Sequence, residues 1–157
     1  MNNIAELLNP DCIKLELTAR SSKELAIKEL VQLLATAGKL NADADAVSHY
    51  TDQVMTREKI ASTGIGNGIA IPHVLVAEVN SITMALGRSA KGVPFESVDG
   101  KPAHLIFLII GPQGQNNEYL KILSKLSKYL NDRGFFDALM KVETPAEVIT
   151  LLAERER

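Results

Sequence analysis

Arg57-Glu58-Lys59-Ile60-Ala61-Ser62-Thr63-Gly64-Ile65-Gly66-Asn67-Gly68-Ile69-Ala70-Ile71-Pro72-His73 passes from the end of a helix, through a glycine-rich bend, into extended chain. The helix is predicted over about Ala44 to Glu58, with Val47, Tyr50, Val54 and Met55 on its inner face. Three glycines and a proline then exclude helix from Ser62 to Pro72. Ile69-Ala70-Ile71 reads as a short strand. Glycines at alternate positions let the backbone turn and come close to another group. Consecutive amides in such a bend can form a concave anion site. That makes Gly66, Asn67 and Gly68 candidate supports for a phosphate. The spacing is neither a Walker A loop nor a dinucleotide fingerprint, since no Gly-Lys-Ser/Thr follows and no glycine stands three residues after Gly66. Alone, the glycines describe a tight loop. Pro72 fixes its own φ and biases Ile71 towards extended geometry. His73 therefore follows a stiff segment suited to presenting a side chain, although a lone histidine is more often structural.

On the N-terminal side, Ile4 to Leu8 is predicted as a short helix stopped by Asn9-Pro10. Ile13, Leu15 and Leu17 alternate with Lys14 and Glu16, the period of a half-buried strand. Ser21 or Ser22 caps the next helix, in which Leu25, Ala26, Leu30, Leu33, Leu34 and Ala37 recur until Gly38. On the C-terminal side, Ser81 to Gly87 reads as a strand, Asp99-Gly100 as a turn and His104 to Ile110 as a strand buried on both faces. Gly111-Pro112-Gln113-Gly114 should end it. Asn116 or Asn117 would cap a helix with the stripe Leu120, Leu123, Leu126, Leu130, and Ile122 beside it. Phe135 to Met140 should open another. Thr144-Pro145-Ala146-Glu147 combines a capping box with proline at the first helical position, and Glu154 to Arg157 should be a frayed end. Mixed strands and helices without a repeat or linker predict a single α/β domain over residues 1–157, a mixed β-sheet flanked by helices.

Composition narrows the function classes. The 157 residues are 46% apolar, which argues against disorder. Seventeen Lys and Arg against 19 Asp and Glu leave a net charge of −2, which argues against a nucleic-acid binder. Cys12 is the only cysteine, so neither an intrachain disulfide nor a multi-cysteine zinc site is possible, and a partly buried position is expected for it. No run approaches the roughly 20 apolar residues of a membrane span, and the first residues lack the basic and apolar regions of a signal peptide. A cytoplasmic location without membrane insertion is the expectation. His49 and His104 are expected to be structural. The histidine spacing supports no zinc site, and no Gly-x-Ser-x-Gly elbow supports a serine hydrolase.

From Arg57 to His73 the chain resembles the active-site signature of enzyme IIA of the bacterial phosphoenolpyruvate-dependent phosphotransferase system, in its fructose–mannitol class with the nitrogen-regulatory branch, and the core from Ser62 to His73 agrees along its whole length. Val98-Asp99-Gly100-Lys101-Pro102, His104-Leu105-Ile106-Phe107 and the leucine-rich helix after them extend the likeness. The resemblance implies the mannitol-type enzyme IIA fold. It implies that His73 is the phosphorylated histidine and Arg57 the active-site arginine. It makes a histidine-phosphorylated carrier protein the donor, and a transporter or regulatory protein the recipient. Neither a cofactor nor a metal is implied. The chemistry agrees: imidazole is a neutral nucleophile near pH 7, and a guanidinium fork suits the oxygens of a transferring phosphoryl group. Without the resemblance, Arg57 would read as a solvated charge at a helix end.

The family commonly has a second active-site histidine, and here Tyr119 occupies that place. A phenol can donate a hydrogen bond to phosphate but is not a cation near neutral pH. It can equally be a packing residue. The departure, with no permease segment in the chain, favours a nitrogen-regulatory switch over a fructose or mannitol IIA subunit. A binding module that keeps the fold but does not carry phosphate is the alternative from another class.

Overall fold

A computed structural model describes residues 3–18, 21–41 and 43–157. Helices α1 (Ile4–Leu7), α2 (Lys23–Thr36) and α3 (Ala44–Ile60) precede most of the sheet, and a short 3-10 turn, Pro10–Cys12, leads into β1 (Ile13–Lys14). Helix α3 starts where the Asp43 carboxylate accepts from Asp45 N, and buries Val47, Tyr50, Thr51, Val54 and Glu58. It runs two residues past the expected end and stops at Ala61, which is extended.

Strand β2 (Gly64–Gly66) turns back antiparallel into β3 (Ile69–Ala70). The turn has φ of 90° at Gly66, 58° at Asn67 and 82° at Gly68, a left-handed region open to glycine and tolerated by asparagine. Next come β4 (His73–Val76), β5 (Thr83–Val93) and β6 (Ala103–Pro112). The sheet order is β1-β5-β6-β3-β2, with β4 also pairing with β6. β5 lies antiparallel to β6; β3, β4 and the β1–β5 pair are parallel. This is the expected mixed sheet.

Strands β3 and β4 share one edge of β6, Ile69 beside Leu105 and His73 beside Ile109. Pro72, with no N–H to give, interrupts them. Its carbonyl still accepts from Ile109 N at 3.0 Å, while Ile71 N turns aside to Thr63 O at 3.1 Å. Leu105 to Ile110 are fully buried, as expected for a central strand covered on both faces. Each such Leu or Ile contributes about 1.5–3 kcal/mol by burial, so the edge carrying His73 is fastened to a fully buried strand.

Several expectations change. Val74-Leu75-Val76, left outside any predicted element, is strand β4, and it holds Gly111 and Pro112 in the sheet, so the break falls at Gln113. β5 runs six residues beyond Gly87, its outer part disguised by Arg88 and Lys91. Only Ile13–Lys14 of the first alternating run pairs with a neighbour, although Leu17 N still reaches Arg88 O. Ser22, one of the two expected caps, caps α2, but Leu25 faces solvent. Helix α4 (Asn116–Leu130) is capped by neither asparagine: Gln115 holds that position without a side-chain bond. Its buried face is Tyr119, Ile122, Leu126 and Leu130, with Leu120 turned outward. Helix α5 (Arg133–Lys141) begins earlier than expected because Asp132 accepts from Gly134 N and Phe135 N. Helix α6 (Pro145–Arg155) has the expected capping box. The chain end is not frayed: the Glu156 carboxylate accepts from Ile4 N and Ala5 N, both at 2.9 Å, and Arg155 pairs with Asp132 at 2.8 Å. Cys12 is buried. No described helix is long and apolar enough to cross a membrane.

Candidate active site around His73

His73 opens β4 with its ring half-buried. Its Nδ1 lies 2.6 Å from the Ile71 carbonyl. A carbonyl can only accept, so Nδ1 carries the hydrogen and Nε2 presents a lone pair. Burial is the main influence on the ring and pushes its pKa below the ordinary histidine value. The Ile71 bond opposes this, and the Arg57 charge lowers the pKa further. The imidazole is therefore neutral at pH 7.

Arg57, in the last turn of α3, places Nη2 3.5 Å from His73 Nε2 and donates through Nη1 to Ala61 O at 3.3 Å. The first distance is at the outer limit of a hydrogen bond. The guanidinium stands beside Nε2 without binding it tightly.

The next residue does different work. Glu58 is 4% exposed. Its carboxylate accepts from Thr63 N at 2.9 Å, Thr63 Oγ1 at 2.6 Å and Lys23 Nζ at 3.0 Å. Thr63 O in turn accepts from Ile71 N, and Ile71 O holds the His73 ring. A buried anion thus fixes, through two peptides, the carbonyl that chooses the histidine tautomer. In the sequence Glu58 and Lys23 read as ordinary helix charges. The signal available was Glu58's place within the matching signature.

Tyr119 does meet His73: their rings stand edge to face, centroids 5.4 Å apart and planes at 62°. Burial, its largest influence, raises the phenol's pKa, only partly offset by Arg57, so the hydroxyl stays neutral. The structure does not bring Gly66, Asn67 and Gly68 to this place. Gly68 O accepts from His104 N and Leu105 N, four residues along β6 from Ile109, or roughly 13 Å at strand spacing. Asn67 N is already given to Asp99 Oδ2 at 3.0 Å. The expected amide support for a phosphate on His73 is corrected accordingly: the glycines make a hairpin turn that points away.

Arg57, Thr63, Ile65, His73, Leu123 and Ser127 line a cleft of about 260 Å3. That is below the usual 300–1,000 Å3 of small-molecule sites, and wide enough for a phosphoryl group. A larger cavity, about 990 Å3, lies elsewhere beside His49 and Tyr50. There His49 Nε2 meets Glu78 Oε2 at 2.8 Å on the surface. His104 pairs with Ser89 O. Among the described residues no group of three or more His, Cys, Asp or Glu is arranged to hold a metal ion.

Sheet order and the residue pattern around β4 define the class, an enzyme IIA domain. The chain belongs to the EIIA 2 family of the phosphoenolpyruvate-dependent sugar phosphotransferase system, whose model matches residues 6–155. It is 42% identical over 98% of its length to the fructose-specific EIIABC component of Bacillus subtilis, of which it spans 24%. It is 39% identical to the fructose-specific EIIA component of Haloferax volcanii, over 85% of this chain and 84% of that one. The crystal structure of the nitrogen regulatory protein IIA-Ntr from Neisseria meningitidis superposes with a TM-score of 0.86 at 32% identity, over 96% of this chain and 99% of that one.

Proposed function

We propose that this chain is a phosphoryl carrier in which His73 Nε2 takes the group from a histidine-phosphorylated carrier protein and delivers it to a second protein. One observation carries the reading: the hydrogen bond from His73 Nδ1 to Ile71 O, which leaves Nε2 as the free nucleophile beside Arg57. In the transfer, the donor's nitrogen–phosphorus bond breaks as a bond forms at Nε2, and the Nδ1 hydrogen stays where it is. Arg57 balances charge on the equatorial oxygens. The small cleft fits a group handed over by a macromolecule better than a whole sugar. Three exposed apolar residues adjoin the site in sequence or line its cleft: Ile60, Ile65 and Leu120, at 79%, 39% and 59% exposure. They supply the apolar contact a docking protein needs.

The recipient follows from Tyr119. A neutral phenol against the ring gives the phosphorylated imidazole no second cation, which favours a slowly discharged mark read by a regulatory protein. The greater identity to fructose-specific components favours a second reading, delivery to a sugar-permease domain. Purified chain is incubated with phosphoenolpyruvate, enzyme I and the carrier protein, and intact mass is followed. One phosphate is expected on the wild type and none on His73→Ala. Absence of phosphate with both sugar-type and nitrogen-type donors would leave a binding module. Rapid discharge to a fructose-type IIB domain would select sugar transport over regulation.

A further inference from the structure

At the far end of the hairpin, a cavity of about 450 Å3 opens where the β2–β3 turn, the β5–β6 connection and α5 meet. Arg133 is held there twice over. Its Nη1 donates to Asn67 O at 2.8 Å, and its guanidinium lies 4.2 Å from the Phe136 ring centroid. A planar cation stacked on a ring and fixed by one bond keeps its remaining N–H donors at a set angle.

His104, which also lines this cavity, gives its Nδ1 hydrogen to Ser89 O at 2.9 Å. Its Nε2 is therefore an acceptor in the neutral ring. Glycines flank that edge: a Cβ on Gly68 would stand 3.4 Å from His104 Cδ2, and one on Gly92 3.1 Å from Cε1. The two carbons bracket Nε2, so side chains at these positions would crowd it. Lys101 adds a second cation to the lining. The carboxylate in the lining, Asp99, is occupied by Asn67 N at 3.0 Å and Lys101 N at 3.1 Å. Pro102, Phe136 and Met140 supply apolar wall.

We propose that this cavity binds a small organic phosphomonoester, with Arg133 and Lys101 on its anionic oxygens, one proton shared between His104 Nε2 and a phosphate oxygen, and the apolar wall holding its organic part. Two cations suit the dianion that a phosphomonoester forms above about pH 6, and the apolar wall suits its organic part, which inorganic phosphate and sulfate lack. The volume falls within the usual range for a small-molecule site. This site is independent of the phosphoryl-carrier reading, which concerns the opposite end of the hairpin.

The test is NMR on the 15N-labelled full chain at pH 6 and fixed ionic strength, titrated in turn with phenyl phosphate, inorganic phosphate and sulfate. Saturable shifts are expected at the Asn67 and Gly68 amides and the His104 ring. Phenyl phosphate should bind most tightly, and inorganic phosphate and sulfate about tenfold more weakly, the loss of the ring's apolar contact. R133Q and K101Q should each weaken phenyl phosphate by about tenfold or more. R57Q should leave the shifts at Asn67 and His104 in place, which separates this site from the His73 cleft. Shifts that never saturate, that follow Arg57 instead, or that are equal for sulfate and phenyl phosphate would overturn the proposal. Should R133Q fail to fold, unchanged affinity in K101Q, an exposed side chain, would overturn it alone.

Discussion

The two ends of the β2–β3 hairpin are built from the same residue types and differ in what those residues are left to do. At each end an imidazole gives its Nδ1 hydrogen to a backbone carbonyl, Ile71 for His73 and Ser89 for His104. At each end a guanidinium is near. Arg57 keeps one nitrogen 3.5 Å from His73 Nε2 and only a long bond to Ala61. Arg133 is committed to Asn67 O and to the Phe136 ring. The carboxylates differ as well. Glu58 is buried and braces the loop behind His73, while Asp99 is exposed and closes a turn. Histidine and arginine do not make a transfer site by their presence. One end has a loosely held cation, a fixed tautomer and a buried brace, the features on which the phosphoryl-carrier proposal rests, and the other has a firmly held cation, on which the ligand proposal rests.

Graded substitutions test the contrast, with phosphorylation by the carrier protein as the readout. Arg57→Ala should slow it by about 100- to 1,000-fold, the usual cost of removing a charge-stabilising donor, while far-UV circular dichroism stays native. A near-normal rate would make Arg57 no different in kind from Arg133. Glu58→Gln should slow it by roughly tenfold and lower stability by about 1–3 kcal/mol in urea unfolding, since Thr63 and Lys23 lose a charged partner. The test of positioning is the His73 ring: its 15N shifts should show Nδ1–H no longer dominant. A stability loss with an unchanged tautomer would reduce Glu58 to a structural residue. Tyr119→His should raise the rate by about threefold, within the range of one exposed-to-half-buried charge interaction; no change would mean Tyr119 only packs.

The pH profile should show the smallest effect. With the His73 pKa lowered, chiefly by burial, the ring is already mostly neutral at pH 7. The rate should change by less than about twofold from pH 7 to 8, and fall only below the ordinary histidine value of about 6.5. A rate still climbing steeply above pH 7 would mean that the charge near Nε2 is negative, not Arg57.

Local signals read well in the sequence because they are local. The Thr144 capping box, the Asn67 turn and the apolar run of β6 each follow from a few adjacent residues. Apart from helix ends, such as the Asp132 cap that starts α5 early, the misses are partnerships across the chain. Val74-Leu75-Val76 becomes a strand only because β6 offers an edge, and Glu156 matters only because the start of α1 lies 152 residues away. Tyr119 and His73, 46 positions apart in the sequence, were linked by family pattern and are brought together by packing of α4 on the sheet. Gly66 to Gly68 misled because a left-handed turn and a phosphate loop use the same residues; which one forms depends on whether the amides find a partner, and here Asp99 takes one. Glu58 stayed hidden because nothing in a helix-end carboxylate reveals that a loop will fold over it.

The most direct measurement is 15N and 31P NMR of the chain after incubation with phosphorylated carrier protein. A single phosphoryl group is expected, with nitrogen–phosphorus coupling at His73 Nε2 and a hydrogen still on Nδ1. Phosphorus on Nδ1, or on another residue, would contradict it.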